Sequence, residues 1–250
     1  MNSEDQKLPQ NVYDDEAFFL GYKNLRQRDS GLNGALEIPA LRQVLPKLNG
    51  YHVLDLGCGF GDFARYAREA GAASVTALDV SEKMLNEARE RTDDPGIVYL
   101  NRSIESFIPD PISFDLVVSS LALHYVADYR LIAERIFTAL KGGGRFVFSV
   151  EHPVCTANPV GWFRDANNNL LHWPLDNYQE EGERYTRWFI EGVRKYHRTN
   201  STYVNTLVSV GFRIEHLGEP VPTPNALSSC PGLATEFRRP PFLLIVALRP

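Results

Sequence analysis

The sequence predicts an α/β fold in which a doubly wound, mostly parallel sheet of seven strands carries helices on both faces. Two observations predict it: apolar runs of strand length recur along the chain, and segments with helical spacing separate most of them. The runs are His52–Leu56, Ser74–Asp79, Ile97–Asn101, Phe114–Ser120, Arg145–Val150, Arg213–Leu217 and Phe242–Leu248. Because they are continuously apolar rather than alternating, we expect strands that right-handed helical crossovers bury on both faces.

Helices are predicted where apolar residues recur at intervals of three or four positions. These segments are Phe63–Ala70, Met84–Ala88, Ile132–Leu140 and Val204–Val208. Ser81 is placed to cap the helix that carries Met84, and glycines lie where helices should end. The glycines are Gly71, the run Gly142–Gly144 and Gly211.

Two segments stand outside this alternation. Residues 1–50 contain predicted helices over Asp14–Arg28 and Ala35–Leu45. Residues 153–196 form an aromatic-rich insertion after the fifth strand, in which Asp165–Asn169 predicts a small hairpin. Its aromatic side chains are Trp162, Phe163, Trp173, Tyr178, Tyr185, Trp188, Phe189 and Tyr196. They could form a lid or pocket that excludes water from a substrate, or they could form the insertion's own small core.

Composition excludes several kinds of partner. The chain of 250 residues has 26 Lys+Arg against 31 Asp+Glu, a net charge of −5, and no concentrated basic face, so nucleic acid is not expected. Its longest apolar run, Phe242–Leu248, is too short to span a membrane, and the N-terminus lacks the pattern of a secretory signal. Three cysteines without a Cys-x-x-Cys pair predict neither a disulfide framework nor a zinc site. We therefore expect a cytoplasmic protein without a metal centre.

The strongest local motif is Val53–Phe63, which reads as a strand, a glycine-rich turn and the start of a helix. Gly57, Gly59 and Gly61 allow a tight turn and a close approach of the backbone to a ligand outside the carboxyl ends of the strands. Asp79 ends the next strand 20 residues after Gly59, a distance that suits hydrogen bonding to ribose hydroxyls.

A dinucleotide site shares much of this pattern and is the alternative. The dinucleotide motif G-x-G-x-x-G requires a third glycine at position 62, where this chain has Asp62. Asp55 would also repel a pyrophosphate, whereas it could hold a cationic ammonium or sulfonium group. These two residues favour a positively charged ligand, with an NAD(P)-dependent oxidoreductase left as the alternative function.

Several segments in the right order resemble the class I S-adenosylmethionine-dependent methyltransferases of the small-molecule type, which have a Rossmann-like fold. They are Val53–Phe63, the dipeptide Asp79-Val80, Phe114–Tyr125 and Leu140–Phe148. The resemblance covers about Gly50–Val150. Lys141-Gly142 replaces the common x-Pro of the last segment, and Ser103 stands where many relatives carry an acidic residue for the adenine amino group.

The resemblance implies S-adenosyl-L-methionine as cofactor and S-adenosyl-L-homocysteine as product. The implied cofactor residues are Asp55, Gly57, Cys58, Gly59, Gly61, Asp79, Val80, Met84, Ser103, Ile104 and Ser120. Asp79 and Val80 would hold the ribose and Met84 would cover the adenine. Tyr22 and Arg26, one helical turn apart, could face the methionine end of the cofactor, or their helix could simply pack on the sheet. We expect one domain over residues 1–250, with an N-terminal cap (1–50), a cofactor-binding core (51–152), a substrate-side insertion (153–196) and the rest of the sheet (197–250).

A small organic molecule is the expected methyl acceptor. The chain lacks an N/D-P-P-Y/F/W motif after the fourth strand, a catechol-type carboxylate cluster there, a glutamate pair of the arginine-methylating type and a Pro-Cys dipeptide. Methyl transfer is an in-line displacement that mainly requires positioning, desolvation and, for some acceptors, a base. A cofactor-binding module without catalysis is a further alternative, and the sequence does not indicate an oligomeric state.

His152, at the carboxyl end of the fifth strand, is the first candidate for the general base, because imidazole titrates near neutrality. The other interpretation is a histidine that caps the strand end. His124 is a second candidate with a similar structural alternative. The pair His197 and Arg198 could reach the acceptor or complete a helix cap, and Glu37 could add a second carboxylate to the pocket.

Overall fold

The computed structural model describes residues 9–27, 31–158 and 160–250. Its strands are β1 (His52–Leu56), β2 (Ser74–Asp79), β3 (Ile97–Asn101), β4 (Phe114–Ser120), β5 (Leu140–Glu151), β6 (Phe163–Arg164), β7 (Leu170–His172), β8 (Gly182–Trp188), β9 (Ile190–His197), β10 (Arg213–Gly218) and β11 (Phe242–Leu248). Seven of them form one sheet in the order β10-β11-β5-β4-β1-β2-β3. The neighbouring strands in the series β5-β4-β1-β2-β3 pair in parallel. Only β11 runs antiparallel to its two neighbours, β10 and β5. This confirms the predicted Rossmann-like α/β sheet.

The helices are α1 (Glu16–Gln27), α2 (Ile38–Val44), α3 (Asp62–Glu69), α4 (Glu82–Glu90), α5 (Tyr129–Ala139), α6 (Pro153–Thr156), α7 (Asn200–Val210) and α8 (Pro224–Ser229). A π-helical turn over Asn33–Glu37 precedes α2, and 3₁₀ turns occur at Val12–Asp14, Leu123–Tyr125 and Pro231–Arg238. The predicted N-terminal helices are present, although Arg28 lies outside the described residues. The helix α8 and the 3₁₀ turn after it were not predicted.

Two of the predicted helix caps, at Ser81 and Gly211, are present in the structure. The Ser81 hydroxyl accepts a hydrogen bond from the backbone N–H of Met84, and Gly211 ends α7 in the left-handed conformation at φ 115°. The glycine run 142–144 differs from the prediction, since α5 ends at Ala139 and those glycines belong to β5. The fifth strand therefore begins five residues earlier than the apolar run at Arg145.

Helices cover both faces of the sheet. Leu54 and Leu56 of β1 belong to a core cluster with side chains of α5 and α7, whereas Val53 packs into a second cluster with side chains of α2 and α3. Full burial of a leucine such as Leu54 stabilises the fold by about 1.5–3 kcal/mol. This two-sided packing leaves the carboxyl ends of the strands as one edge of the molecule. Within the described ranges, no helix is both long and apolar enough to cross a bilayer.

The insertion after β5 consists of α6 and two hairpins. Strands β6 and β7 flank the predicted Asp165–Asn169 turn, in which the Asp165 carboxylate accepts hydrogen bonds from the N–H groups of Asn167 and Asn169. The longer hairpin, β8 and β9, was not predicted separately; it turns at Phe189, a non-glycine residue with φ 57°. Trp162 and Trp173 contact each other within the insertion, with ring centroids 5.3 Å apart.

Candidate active site

A cavity of about 800 Å³ lies at the carboxyl ends of β1, β2, β4 and β5, between the N-terminal segment and the insertion. Its volume falls within the range of roughly 300–1,000 Å³ that is usual for small-molecule sites. The structure brings together at this cavity Tyr22, Arg26, Asp55, Gly57, Cys58, Gly59, Asp79, Val80, Met84, Ser103, Ile104, Ser120 and His124. Among the predicted cofactor residues and candidate bases, Gly61 and His152 do not line it.

The glycine-rich turn leads from β1 into α3. The N–H groups of Gly57 and Cys58 both donate to the carbonyl of Leu78 at 2.9 Å, which fixes the turn against the end of β2. Gly57 has φ 78°, and a Cβ atom there would lie 2.5 Å from the Cβ of Ala122. A Cβ on Gly59 would meet nothing within 4 Å, so the cavity wall is open at this residue. Gly61 does not line the cavity and packs against Tyr99. A Cβ atom at this position would collide with the Tyr99 hydroxyl, so the turn requires glycine here.

Asp79 connects the glycine turn to the start of α4. Its Oδ2 atom accepts a hydrogen bond from the Gly59 N–H at 2.9 Å, and its Oδ1 atom accepts one from the Ser81 N–H at 2.9 Å. Burial raises the pKa of this carboxyl group, although both backbone hydrogen bonds oppose the increase. Each oxygen keeps a further acceptor position, so the geometry suits hydroxyl groups of a bound ribose.

Asp55 lies at the end of β1 with only 1% of its surface exposed. Its Oδ2 atom has no hydrogen-bond partner among the described residues, and burial, reinforced by the charges of Asp79 and Asp62, raises its pKa to about 8. A buried carboxylate without a partner is unfavourable, and a cationic group in the cavity would relieve this. The Asp55 carboxylate therefore fits a ligand that carries an ammonium or sulfonium group.

Helix α1 closes the cavity above the glycine turn. The Tyr22 ring lies 5.6 Å from that of Phe60 and 5.9 Å from that of Trp188, measured between centroids. Arg26 is already paired, since its Nη2 atom lies 2.8 Å from Oδ2 of Asp62 and its Nη1 atom donates to Asn33. Arg26 therefore lines the cavity as half of an ion pair rather than as an isolated cation.

Glu37, which the sequence left unplaced, is buried in the cavity wall within the π-helical turn. Its Oε1 atom accepts hydrogen bonds from the hydroxyls of Ser120 at 2.9 Å and Ser149 at 2.5 Å, and its Oε2 atom accepts one from the Asn33 side chain at 2.7 Å. Burial raises its pKa. The Ser103 hydroxyl hydrogen-bonds the hydroxyl and the backbone N–H of Ser106, so its hydrogen bonds lie within a local turn.

His124 lines the cavity from the 3₁₀ turn after β4 and is 4% exposed. Its Nδ1 atom accepts a hydrogen bond from the backbone N–H of Glu151 at 3.3 Å. Because that N–H can only donate, the neutral ring carries its proton on Nε2. Burial, together with the charges of Lys195 and Arg198, lowers the pKa of His124 well below its usual value. The ring is therefore a neutral hydrogen-bond donor, which argues against the predicted role as a base.

His152 is held away from the cavity. Its Nδ1 atom accepts a hydrogen bond from the N–H of Val154 and thereby caps α6, while Nε2 lies 3.0 Å from Oε1 of Glu219. Both ring nitrogens are thus engaged in a side chain that is 2% exposed. This placement argues against the predicted base and matches the structural interpretation, so we do not propose His152 as a base.

His197 and Arg198 are also structural in their contacts. The His197 ring hydrogen-bonds the hydroxyl of Thr156 at 2.7 Å and the carbonyl of Tyr178 at 2.9 Å. Arg198 donates to the carbonyls of Val126 and Ala127, and neither residue of the pair lines the cavity.

Several charged residues of the cavity were not predicted from the sequence, and three of them, Glu151, Lys195 and Arg239, lie at its insertion side. Lys195 of β9 lies 2.6 Å from Oε2 of Glu151, which immediately precedes His152. Arg239 follows the last 3₁₀ turn, with its guanidinium 4.4 Å from the centre of the Trp173 ring. Glu151 could have been found, because it ends a strand at the expected edge. Lys195 and Arg239 could not, because their positions depend on the unpredicted β8–β9 hairpin and 3₁₀ turn.

Comparisons with known proteins agree with this geometry. A family model described as a methyltransferase domain matches residues 54–148. The crystal structure of an S-adenosylmethionine-dependent methyltransferase from Mesorhizobium loti is 48% identical with a TM-score of 0.82, over 88% of this chain and 100% of that chain. An uncharacterized protein of Haemophilus influenzae is 36% identical over 94% of this chain and 96% of its own length. The malonyl-[acyl-carrier protein] O-methyltransferase of Salmonella typhimurium is 40% identical, but over 39% of this chain and 38% of that protein.

Proposed function

Because the chain belongs to the class I S-adenosylmethionine-dependent methyltransferases, we propose that it transfers a methyl group to a small organic acceptor bound in the same cavity as the cofactor. One observation carries the proposal: the glycine turn with Asp55 and Asp79 forms one part of the cavity, and the insertion encloses the rest. The oxidoreductase and the non-catalytic module are not carried forward, because this is a family of enzymes that use S-adenosylmethionine.

The residues of the first part fit the cofactor. Asp55, whose Oδ2 atom has no partner among the described residues, would meet its cationic amino-acid end, and Asp79 would bind the ribose hydroxyls. The apolar side chains of Met84 and Ile104 line the part of the cavity expected for the adenine. When bound, the cofactor supplies an activated methyl group and leaves as S-adenosylhomocysteine.

Exclusion of water is the second contribution of the protein. Phe18 of α1 packs edge-on against Trp188 and Phe189 at the tip of the β8–β9 hairpin, with centroids 5.2 Å and 5.4 Å apart. These contacts join the N-terminal cap to the insertion over the glycine turn. A closed, apolar cover strengthens electrostatic interactions inside the site and holds the acceptor in line for displacement.

His124 is the residue best placed to orient the acceptor. It holds its proton on Nε2, and no described residue accepts a hydrogen bond from that atom. We assign it the task of donating to an oxygen or nitrogen of the acceptor. A donor of this kind positions the acceptor without removing a proton, which suits an acceptor whose nucleophilic atom is already deprotonated.

A small acceptor is supported by the enclosure of the cavity between the N-terminal segment and the insertion. The Salmonella relative methylates a malonyl group on a carrier protein, and its likeness here is confined to part of the chain. The test is transfer of radiolabelled methyl groups from S-adenosylmethionine in a cell extract depleted of the endogenous protein, followed by size fractionation. We expect the label in the small-molecule fraction, and none with the Asp79→Ala variant. Label confined to protein or nucleic acid would overturn the proposal while leaving the family intact.

A further inference from the structure

Charge divides the cavity into two parts. The described lining residues up to Glu105 include five acidic side chains and three arginines: Glu37, Asp55, Asp62, Asp79 and Glu105 beside Arg26, Arg42 and Arg102. From Ser120 onward the lining has four cations and one carboxylate: Arg184, Arg187, Lys195 and Arg239 against Glu151. The whole chain has a net charge of −5, so this positive part does not reflect its average composition. We call the lining from Ser120 onward the acceptor half.

Most cations of the acceptor half already have partners. Lys195 lies 2.6 Å from Glu151, and Arg187 lies 3.3 Å from Glu191 on the exposed surface of the hairpin. Arg184 donates to the backbone carbonyls of Glu183 and Glu180. Their charges attract anions to the cavity, and each of these three side chains already has a carboxylate or carbonyl partner within the protein.

Arg239 differs from them. Its side chain is 11% exposed, yet its Nε and Nη1 atoms have no hydrogen-bond partner among the described residues. Glu236 provides a charge, with Oε2 3.1 Å from Nη1, but neither atom meets the angular requirements of a hydrogen bond. Buried guanidinium donors normally find partners, so the incomplete hydrogen bonding of Arg239, a residue that lines the cavity, indicates a group that binds a ligand there.

Packing holds the Arg239 guanidinium in place. It lies 4.4 Å from the centre of the Trp173 ring, and the Trp173 indole N–H is itself fixed by donating to the carbonyl of Val154 at 3.0 Å. The adjacent Arg238 provides a contrast. It lies 4.7 Å from the Trp162 ring, is exposed, donates to the carbonyls of Leu170 and Leu171, and does not line the cavity.

We propose that the methyl acceptor carries a carboxylate or phosphate group and that Arg239 binds this group against Trp173. The inference rests on the proposed function, because it assigns the acceptor half to the substrate of the same reaction. Planar guanidinium groups bind carboxylate and phosphate oxygens through paired hydrogen bonds. The anion would bind the part of the Arg239 guanidinium that lines the cavity, and the surrounding positive charge would favour its entry.

The experiment follows the Trp173 indole N–H by ¹H–¹⁵N NMR while benzoate or inorganic phosphate is added to protein saturated with S-adenosylhomocysteine. In the wild type we expect a saturable shift of this resonance. Arg239→Gln should weaken anion binding roughly tenfold or more, because a hydrogen-bonded charge partner is lost. Arg238→Gln is the matched control and should bind as the wild type does.

Glu236→Gln tests the same site in the opposite direction. This substitution removes the carboxylate that competes for Arg239, so we expect about three- to tenfold tighter anion binding. It also keeps the proposal testable if Arg239→Gln does not fold.

A shift with benzoate alone indicates a carboxylate acceptor, and a shift with phosphate alone indicates a phosphorylated one; either supports the proposal. No saturable shift with either anion, or equal binding by Arg239→Gln and the wild type, would overturn it. Binding of S-adenosylhomocysteine in the same samples separates this outcome from a failure of the proposed function.

Discussion

The carboxylate of Asp79 accepts a hydrogen bond from the backbone N–H of Gly59 at 2.9 Å, so one acidic residue at the end of β2 fixes the turn that follows β1. Gly59 is also the turn residue where a side chain would meet open space. The site is therefore preorganised by the same residue that would bind the ribose, and turn geometry and ligand affinity should change together.

Replacement of Asp79 should weaken cofactor binding strongly. In Asp79→Ala both the ribose acceptors and the bond to Gly59 are lost, and hydrogen bonds to charged groups contribute about 1.5–3 kcal/mol each. We expect affinity for S-adenosylhomocysteine to fall roughly 100-fold or more by calorimetry. The control is Asp115→Ala, which removes a carboxylate bound to Lys141 away from the cavity. Equal losses in both variants would contradict a specific role for Asp79.

Cofactor affinity should depend on pH through Asp55. Its pKa of about 8 in the ligand-free protein means that it is mostly protonated at neutral pH, whereas a bound cation favours the ionised form. Binding therefore releases a proton below about pH 8, and affinity for S-adenosylhomocysteine should rise by up to about tenfold per pH unit there and level off above. Asp55→Asn should remove this dependence. A profile of the same steepness in the variant would exclude Asp55 as its source.

His124 should contribute a hydrogen bond rather than proton abstraction. Because its pKa lies well below the usual value, it stays neutral around pH 7, and the pH profile of kcat should show no limb that belongs to it. We expect His124→Leu to lower turnover about tenfold with unchanged cofactor affinity, and His124→Gln, which keeps an N–H donor, to retain more activity. A limb near neutrality that disappears in His124→Leu would instead identify a base.

His152 should matter for stability and not for chemistry. His152→Ala removes the cap of α6 and the contact with Glu219 from a buried side chain, so chemical denaturation should show a loss of about 1–3 kcal/mol. Turnover per folded molecule should equal that of the wild type. The control is His216→Ala, at an exposed position of β10, which should change neither quantity. A large fall in kcat at unchanged stability would restore the catalytic interpretation.

The contact between α1 and the hairpin tip can be tested at Gly21. A Cβ atom there would lie 2.6 Å from Cδ1 of Phe189, so Gly21→Ala should displace the tip and speed release of S-adenosylhomocysteine about tenfold in stopped-flow measurements. The double variant Gly21→Ala/Phe189→Ala should lack this clash. Release from the double variant should therefore be no faster than from Phe189→Ala alone; if the two single effects were simply additive, the clash would not be the cause.

The sheet and the cofactor part of the site could be predicted because their signals are local. Each parallel strand is a short apolar run, and the residues at its carboxyl end, such as Asp55, Gly57 and Asp79, meet at one edge whatever the details of the helices. Ser81 and Gly211 likewise act on backbone groups a few residues away.

The acceptor half could not be predicted, because long-range packing determines it. His152 was a reasonable base at a strand end, but its orientation depends on Glu219, 67 residues later. Arg239 follows a 3₁₀ turn, Pro231–Arg238, that was not predicted from the sequence, and its partner Trp173 comes from the insertion. The turn of the β8–β9 hairpin contains Phe189 with positive φ where a glycine or asparagine would have signalled a turn.

The most direct test of this account is thermal unfolding of the wild type and Asp79→Ala with S-adenosylhomocysteine or NAD. At about 100 times its dissociation constant, S-adenosylhomocysteine should stabilise the wild type by about 2.7 kcal/mol and raise Tm by roughly 5–10 °C. We expect this shift in the wild type, a much smaller one in Asp79→Ala at the same concentration, and none with NAD. A shift with NAD, or an equal shift with S-adenosylhomocysteine in both proteins, would contradict the assignment of the glycine turn and Asp79 to the methyl-donor site.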